Sequence, residues 1–290
     1  MSKHTIKKLP KSTVEITLTI PWADIATEQK SAFAALQARL EVPGFRRGKA
    51  PKDVAEKHIA RQAVLEQVVR QLLPRTYEDI VKKEGLRPII SPKIDLVKAK
   101  EKEDWEIKIN VAEKPEIKLG SYKDAIKKLK VDAKTKEIWT PGKEADAKPK
   151  EEEEEAKQNR LNMILGTILT SVTCDISDII IEDELNRKLA RLVDDVQKLG
   201  LTMDAYLQSK NTTMEQLRAQ FTTEIENTYK LEFILMEIAD IERITVGDGE
   251  IDAVFASIKD EKEKQAARQN AYFYTTLIRK QKTLDYLLNL

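Results

Sequence analysis

The sequence predicts an α+β chain, a mixed N-terminal module followed by an all-α C-terminal half, and three observations carry that prediction. Val14, Ile16, Leu18 and Ile20 alternate with polar residues, as do Trp105, Ile107, Ile109 and Val111, the period-two signature of strands with one buried face. Between those stretches the apolar spacing lengthens to the helical period, and from Ala156 onward it stays helical to the C-terminus. A chain of 290 residues, 41% of them hydrophobic, has enough apolar surface for two cores.

Taken in order, the first strand ends at Pro21. Trp22, Ile25, Ala26, Phe33, Leu36 and Leu40 then share a helical face, and Asp24 sits in the first turn, where a carboxylate favours the helix dipole. Pro43-Gly44 stops that helix. Pro51 suits the first turn of a second one, carrying Val54, Ile59, Val64, Leu65, Val68 and Leu72 as far as Leu73. Pro74 is placed to open a third helix with Tyr77, Ile80 and Val81, which Gly85 closes. Strands at Ile89–Val97 and Trp105–Val111 complete a β-α-α-α-β-β module.

From Gly120 to Lys150 the chain is Lys-rich with little periodicity, and Trp139 is the one residue expected to anchor it locally; it reads as a linker. The run Glu151 to Glu155 reads as the solvated start of a long helix. Leu161, Ile164, Leu165, Ile168, Leu169 and Val172 form one apolar stripe, and Leu185, Leu189, Leu192, Val193, Val196 and Leu199 form another, ended by Gly200. Thr202 can cap a short helix, and Thr213 with Gln216 fits a capping box opening a helix to about Ile244. The loop Val246 to Gly249 breaks it, and one or two further helices follow, including Ala271-Tyr272-Phe273-Tyr274.

Composition excludes several functions. The longest apolar run, Ile176 to Ile181, is interrupted by Ser and Asp and falls well short of the ~20 residues of a membrane span. The basic N-terminus lacks the apolar core of an export signal, so a cytoplasmic location is expected. The single Cys174 sits among apolar positions and reads as a small core residue, the alternative being a nucleophile. Only His4 and His58 are available as imidazoles, and they are isolated, so no metal set or base–nucleophile pair can be assembled. Gly44 and Gly48 lack the Lys-Ser/Thr of a phosphate loop, and the carboxylate pairs fit a solvated helix face. No cofactor is expected. The net charge of +1 conceals a division: residues 1–120 carry 24 Lys and Arg against 17 Asp and Glu, the remainder 26 against 32. Different partners at the two ends would explain this, as would scattered solvating charge.

The stretch EVPGFRRGKAP, Glu41 to Pro51, stands apart. Gly44 and Gly48 permit a tight tip, Pro43 and Pro51 stiffen its stems, and the short connection makes its flanking helices an antiparallel hairpin displaying Phe45, Arg46, Arg47 and Lys49. Arginines beside a rigid aromatic suit docking on phosphate or carboxylate. The other reading has Phe45 folded back into its own helices.

Gly44-Phe45-Arg46-Arg47-Gly48-Lys49-Ala50-Pro51 resembles the signature of the trigger factor family, bacterial chaperones that dock on the ribosome beside the nascent-chain exit. The Gly85-Leu86-Arg87-Pro88 turn and the surrounding elements are similar to that family's ribosome-binding domain. Cys174-Asp175-Ile176 leading to Glu182-Asp183-Glu184-Leu185 is similar to its helical C-terminal domain. The resemblance implies a ribosome-binding domain at 1–118, a linker at 119–150 and a helical substrate-binding domain at 151–290. It also implies that Gly44, Phe45, Arg46, Arg47, Gly48 and Lys49 contact the large ribosomal subunit, protein and RNA. The family's usual FK506-binding-type prolyl-isomerase domain, roughly a hundred residues, has no room in the Lys-rich segment, so no enzymatic activity is expected.

The implied function is ATP-independent shielding of nascent polypeptides during folding, with no membrane partner and with weak homodimer formation among the expected partnerships. Met203, Tyr206, Met214, Phe221, Met236, Tyr272 and Phe273 are candidate client contacts, each with a core position as the alternative. The competing functional readings are a basic RNA- or ribosome-binding module without client holding, and a prolyl isomerase.

Overall fold

The computed structural model describes residues 3–100, 102–136, 150–257 and 260–290. Two compact units, Met1–Lys114 and Pro115–Leu290, divide the chain.

In the first unit, β1 (Lys3–Leu9) and β2 (Thr13–Ile20) form a hairpin whose turn holds Lys11 and Ser12 at positive φ. Helices α1 (Trp22–Gln37), α2 (Lys52–His58) and α3 (Arg61–Glu84) follow, then β3 (Lys93–Lys98) and β4 (Trp105–Ala112). The sheet is antiparallel with order β1-β2-β4-β3. Its register sets Ile16 opposite Ile109 and Leu18 opposite Ile107, so the alternating apolar residues of both central strands fall on one face. That face is closed by Ile25 and Ala32 of α1 and Val68, Leu73 and Ile80 of α3, with Trp105 buried at the strand end. The Trp22 amide donates to Asp104 Oδ1 at 2.8 Å, fastening the start of α1 to the start of β4.

Three features of this unit depart from the sequence reading. β1 was not anticipated, because KHTIKKL carries too few apolar residues to show alternation. Pro74 lies inside α3, and the helix break falls instead at Ile59-Ala60. A proline there removes one backbone bond, but Leu73, Tyr77 and Ile80 pack against the sheet on either side of it, and that burial holds the helix together. α1 therefore packs on the long α3, with short α2 in the connection, rather than pairing with the helix after Pro51. β3 also starts later than expected; Ile89 lies outside it and donates to the carbonyl of Ala112, the last residue of β4. Gly85 closes α3 in the left-handed conformation, as its position predicts.

The second unit comprises β5 (Ile117–Lys118), α4 (Tyr122–Lys136), α5 (Lys150–Ser171), β6 (Thr173–Cys174), α6 (Asp178–Lys198), α7 (Met203–Ser209), α8 (Met214–Ile241), α9 (Asp248–Ser257), α10 (Glu261–Gln269) and α11 (Ala271–Asn289). α5, α8 and α11 pack on one another, α6 lies on α8, and α4 lies on α5. Thr202 caps α7 through the Ala205 amide, and Thr213 and Gln216 form the reciprocal capping box of α8.

Two departures occur here as well. Residues 122–136, expected as part of a linker, form a helix, because Tyr122, Ile126 and Leu129 make an apolar stripe that buries against α5. The unit is not purely helical: Ile117 pairs with Cys174 in a two-residue ladder, so Cys174 lies on a strand rather than a helix. It is buried, and burial pushes its thiol up to about 11. Trp139 lies outside the described residues. A carboxylate, Glu242, gathers the chain around it: it accepts from Lys123 Nζ at 2.7 Å, Tyr286 Oη at 2.7 Å and Tyr122 Oη at 2.9 Å, tying α4 and α11 to the end of α8.

Candidate functional site

The loop after α1 is held by its own backbone. Gly48 donates to the Leu40 carbonyl at 2.9 Å, Phe45 to Val42 at 3.0 Å and Lys49 to Arg46 at 2.9 Å. The Gln37 amide donates to the Ala50 carbonyl at 2.8 Å, closing the two stems across the base. Val42 and Ala50 are buried there and act as the loop's roots. Both glycines adopt positive φ, yet they differ in space: a Cβ at Gly44 would meet nothing, whereas one at Gly48 would run into the Ala38 carbonyl.

On that frame Phe45 is 44% exposed. It does not fold back into the helices, which decides between the two readings of its side chain. Arg46 and Lys49 are exposed beside it, and Arg47 is steered by Glu41, 3.5 Å from its Nε, while staying mostly in solvent. A positively charged tip carrying one apolar ring can pair with phosphate or carboxylate oxygens and bury the ring in the same contact. His58, at the end of α2, is exposed, and His4 meets Glu84 at 2.9 Å.

In the second unit the seven apolar candidates separate. Tyr272, 86% exposed, and Met236 border one cleft between α8 and α11, of about 200 Å3, with Leu235, Ala239, Thr276 and Arg279. Phe273, 63% exposed, faces a different cleft beside Ala266, Ala267 and Tyr274. Met214 is exposed at the first turn of α8. Met203 and Tyr206 are half-buried on α7. Phe221 is half-buried under Lys188, whose Nζ lies 4.2 Å from the ring centroid. Sequence reading missed Leu277 and Ile241, both more than half exposed; each belongs to a helical stripe, and only tertiary packing decides which members of a stripe are left uncovered.

Among the described residues no cluster of three or more His, Cys, Asp or Glu is placed to hold a metal ion, and no helix is long and apolar enough to cross a membrane.

The first unit thus carries an exposed cationic tip, and the second carries clefts bordered by exposed apolar side chains, surface features of the kind found on binding proteins. Comparison with known proteins gives the family. The family model of the bacterial trigger factor protein matches residues 2–141, and the model of the trigger factor C-terminus matches residues 146–288. The chain belongs to the trigger factor family. It is 34% identical over 122 residues to the trigger factor of Corynebacterium glutamicum, covering 42% of this chain and 27% of that one. It is 38% identical over 109 residues to the trigger factor of Streptococcus gordonii, covering 38% and 26% respectively. The matched region thus spans about a quarter of these curated relatives. The fold aligns over 99% of both chains with a solved structure of the trigger factor chaperone reported for promiscuous substrate recognition in folding and assembly, with a TM-score of 0.65 and 17% identity.

Proposed function

We propose that this protein is an ATP-independent chaperone that docks through its loop tip beside the ribosomal exit tunnel and shields nascent polypeptides with its helical unit. The observation that carries the reading is the tip itself: an outward Phe45 and exposed Arg46 and Arg47 on a loop that its own hydrogen bonds hold open. Phe45 anchors on ribosomal protein, the arginines pair with ribosomal RNA phosphates or acidic side chains, and Gly44, Gly48 and Lys49 complete the contact. The clefts flanked by Met236, Tyr272 and Phe273 supply weak, reversible apolar contacts to unfolded chains, for which multivalency rather than nucleotide hydrolysis sets retention and release. Met214, already exposed, and the half-buried Met203, Tyr206 and Phe221 extend that surface. The setting is the cytoplasm, and weak self-association off the ribosome belongs to the same reading.

The protein acts without prolyl-isomerase catalysis in this reading. Its two family matches leave only residues 142–145 between them, too few to build a proline pocket. A prolyl-peptide isomerisation assay with the pure protein tests this, and clear catalysis would sink it.

Co-sedimentation with large ribosomal subunits tests the docking reading: binding at low salt and release towards ~1 M salt are expected. Binding to free RNA tighter than to intact subunits would instead favour a plain RNA-binding module.

A further inference from the structure

The tip at residues 41–51 has a shape and a direction, and different bonds fix each. Its shape is local: Phe45 donates to Val42 and Lys49 to Arg46, turns that close within the loop itself. Both would survive if the whole tip swung on its stems. Direction needs ties from one stem to the other, and two hydrogen bonds supply them among the described residues. Gly48 donates to the Leu40 carbonyl, backbone to backbone. The Gln37 side-chain amide donates to the Ala50 carbonyl at 2.8 Å. Glu41 and Arg47 also face each other across the loop, but both are largely in solvent, where such a pair holds little.

Pro51 explains why a side chain is needed at the base. It caps α2 and brings no N–H of its own, so at this point the second stem has no backbone donor to offer the first. Gln37 is the last residue of α1, and its own carbonyl accepts from the Leu40 amide at 3.1 Å. The donor thus stands on backbone that the helix has already placed. Ala50, at the other end of the bond, is 3% exposed and forms a root of the loop. The bond is partly buried, so water does not fully replace a donor that is lost.

We propose that Gln37 is a positioning residue for docking: from the base of the loop it sets the direction in which Phe45, Arg46 and Arg47 point, and it makes no contact with the partner itself. This rests on the reading of the tip as the element that docks on the large ribosomal subunit. With the bond in place the tip is ordered before contact, and little entropy is lost on docking. Without it the same contacts form only after the tip is reordered. Affinity then falls while the number of phosphates met by the arginines stays the same.

The test uses the full chain and isolated large ribosomal subunits, with Kd measured by co-sedimentation over a series of salt concentrations. Gln37→Met keeps the length of the side chain and removes the donor. It should raise Kd about three- to tenfold, the range one hydrogen bond covers. The slope of log Kd against log salt should match that of wild type, because that slope counts phosphate contacts. In the free protein, hydrogen exchange at the Gly48 and Lys49 amides should quicken several-fold, while the β2 and β4 amides keep their protection. Gln37→Leu, equally unable to donate, should behave alike. Three results would overturn the inference: a Kd unchanged in both variants, exchange at Gly48 and Lys49 unchanged in both, or a salt slope reduced by about one, which would make Gln37 part of the phosphate contact. Wild-type protein that does not bind the subunits would overturn the docking reading itself, and the inference with it. Wild-type binding that both variants reproduce would discard the role of Gln37 alone.

Discussion

The loop at residues 41–51 and the first turns of α11 both put aromatic rings into solvent, and they do so by opposite means. Phe45 rides on a short loop cross-tied by four hydrogen bonds and flanked by cations. Tyr272 and Phe273 project from a regular helix into separate clefts, and the cations lining the Tyr272 cleft, Arg279 and Lys280, are already paired with Asp240 and Glu232. A held ring with charged neighbours suits one partner of defined shape, since little entropy is lost on contact. Rings left on a helix face suit many partners, each held weakly. The difference teaches that exposure alone does not define a binding site; how much of its geometry is already fixed decides what it can discriminate.

That contrast can be broken by substitution. The largest effect is expected from Phe45→Ala combined with Arg46→Ala, which should reduce ribosome co-sedimentation more than tenfold, about 1.4 kcal/mol or beyond, with Tm unchanged. Unaltered co-sedimentation would remove the tip from the docking reading. Next, Gly48→Ala should destabilise the first unit by about 1–3 kcal/mol in urea unfolding, since it combines positive φ with a clash on the Ala38 carbonyl. Gly44→Ala, also at positive φ but in open space, should cost less; equal costs would show that the frame around the tip is not what constrains it.

Tyr272→Ser with Phe273→Ser should weaken suppression of reduced-insulin aggregation only by several-fold, because the contacts are distributed. A complete loss would make this surface as specific as the tip and erase the contrast.

Smaller effects test the scaffold of the second unit. Hydrogen bonds from Lys123 and then Tyr286 hold the Glu242 carboxyl below the usual range for a glutamate. A lowered folded-state value means that its stabilisation is complete above the unfolded value of about 4.3 and disappears as pH falls through the lowered one. Glu242→Gln should therefore reduce stability at pH 7 and converge with wild type in strong acid, read from urea midpoints across pH. Smallest, Thr213→Ala should cost about 1 kcal/mol by opening the capping box of α8.

Much of this was legible in the sequence where the signal is local. Glycines at the tip, the capping box at Thr213, the left-handed Gly85 and the alternation of β2 and β4 each follow from the residues that carry them. What escaped depended on distant partners. Pro74 inside α3 looks like a helix start until the sheet beneath Leu73 and Ile80 is known. The stripe Tyr122-Ile126-Leu129 was present but submerged among lysines, and only α5 gives it a surface to cover. For the candidate site the tip residues were readable from glycine and arginine spacing. The exposure of Tyr272 and Leu277 was not, because a helical stripe does not reveal which of its members lack a neighbour.

The way α4 enters the second unit bears on how such chains diversify. β5 is hydrogen-bonded to β6, Tyr122 is anchored on Glu242, and α4 lies along α5 before the chain returns as α5 itself. Among the described residues, the ties that secure this passage come from β5 and α4 on one side and from α5 and β6 on the other. An exchange of the sequence between the two sides that keeps both in place is expected to leave those ties standing, which makes the junction a seat for a change of module that does not dismantle the helical unit.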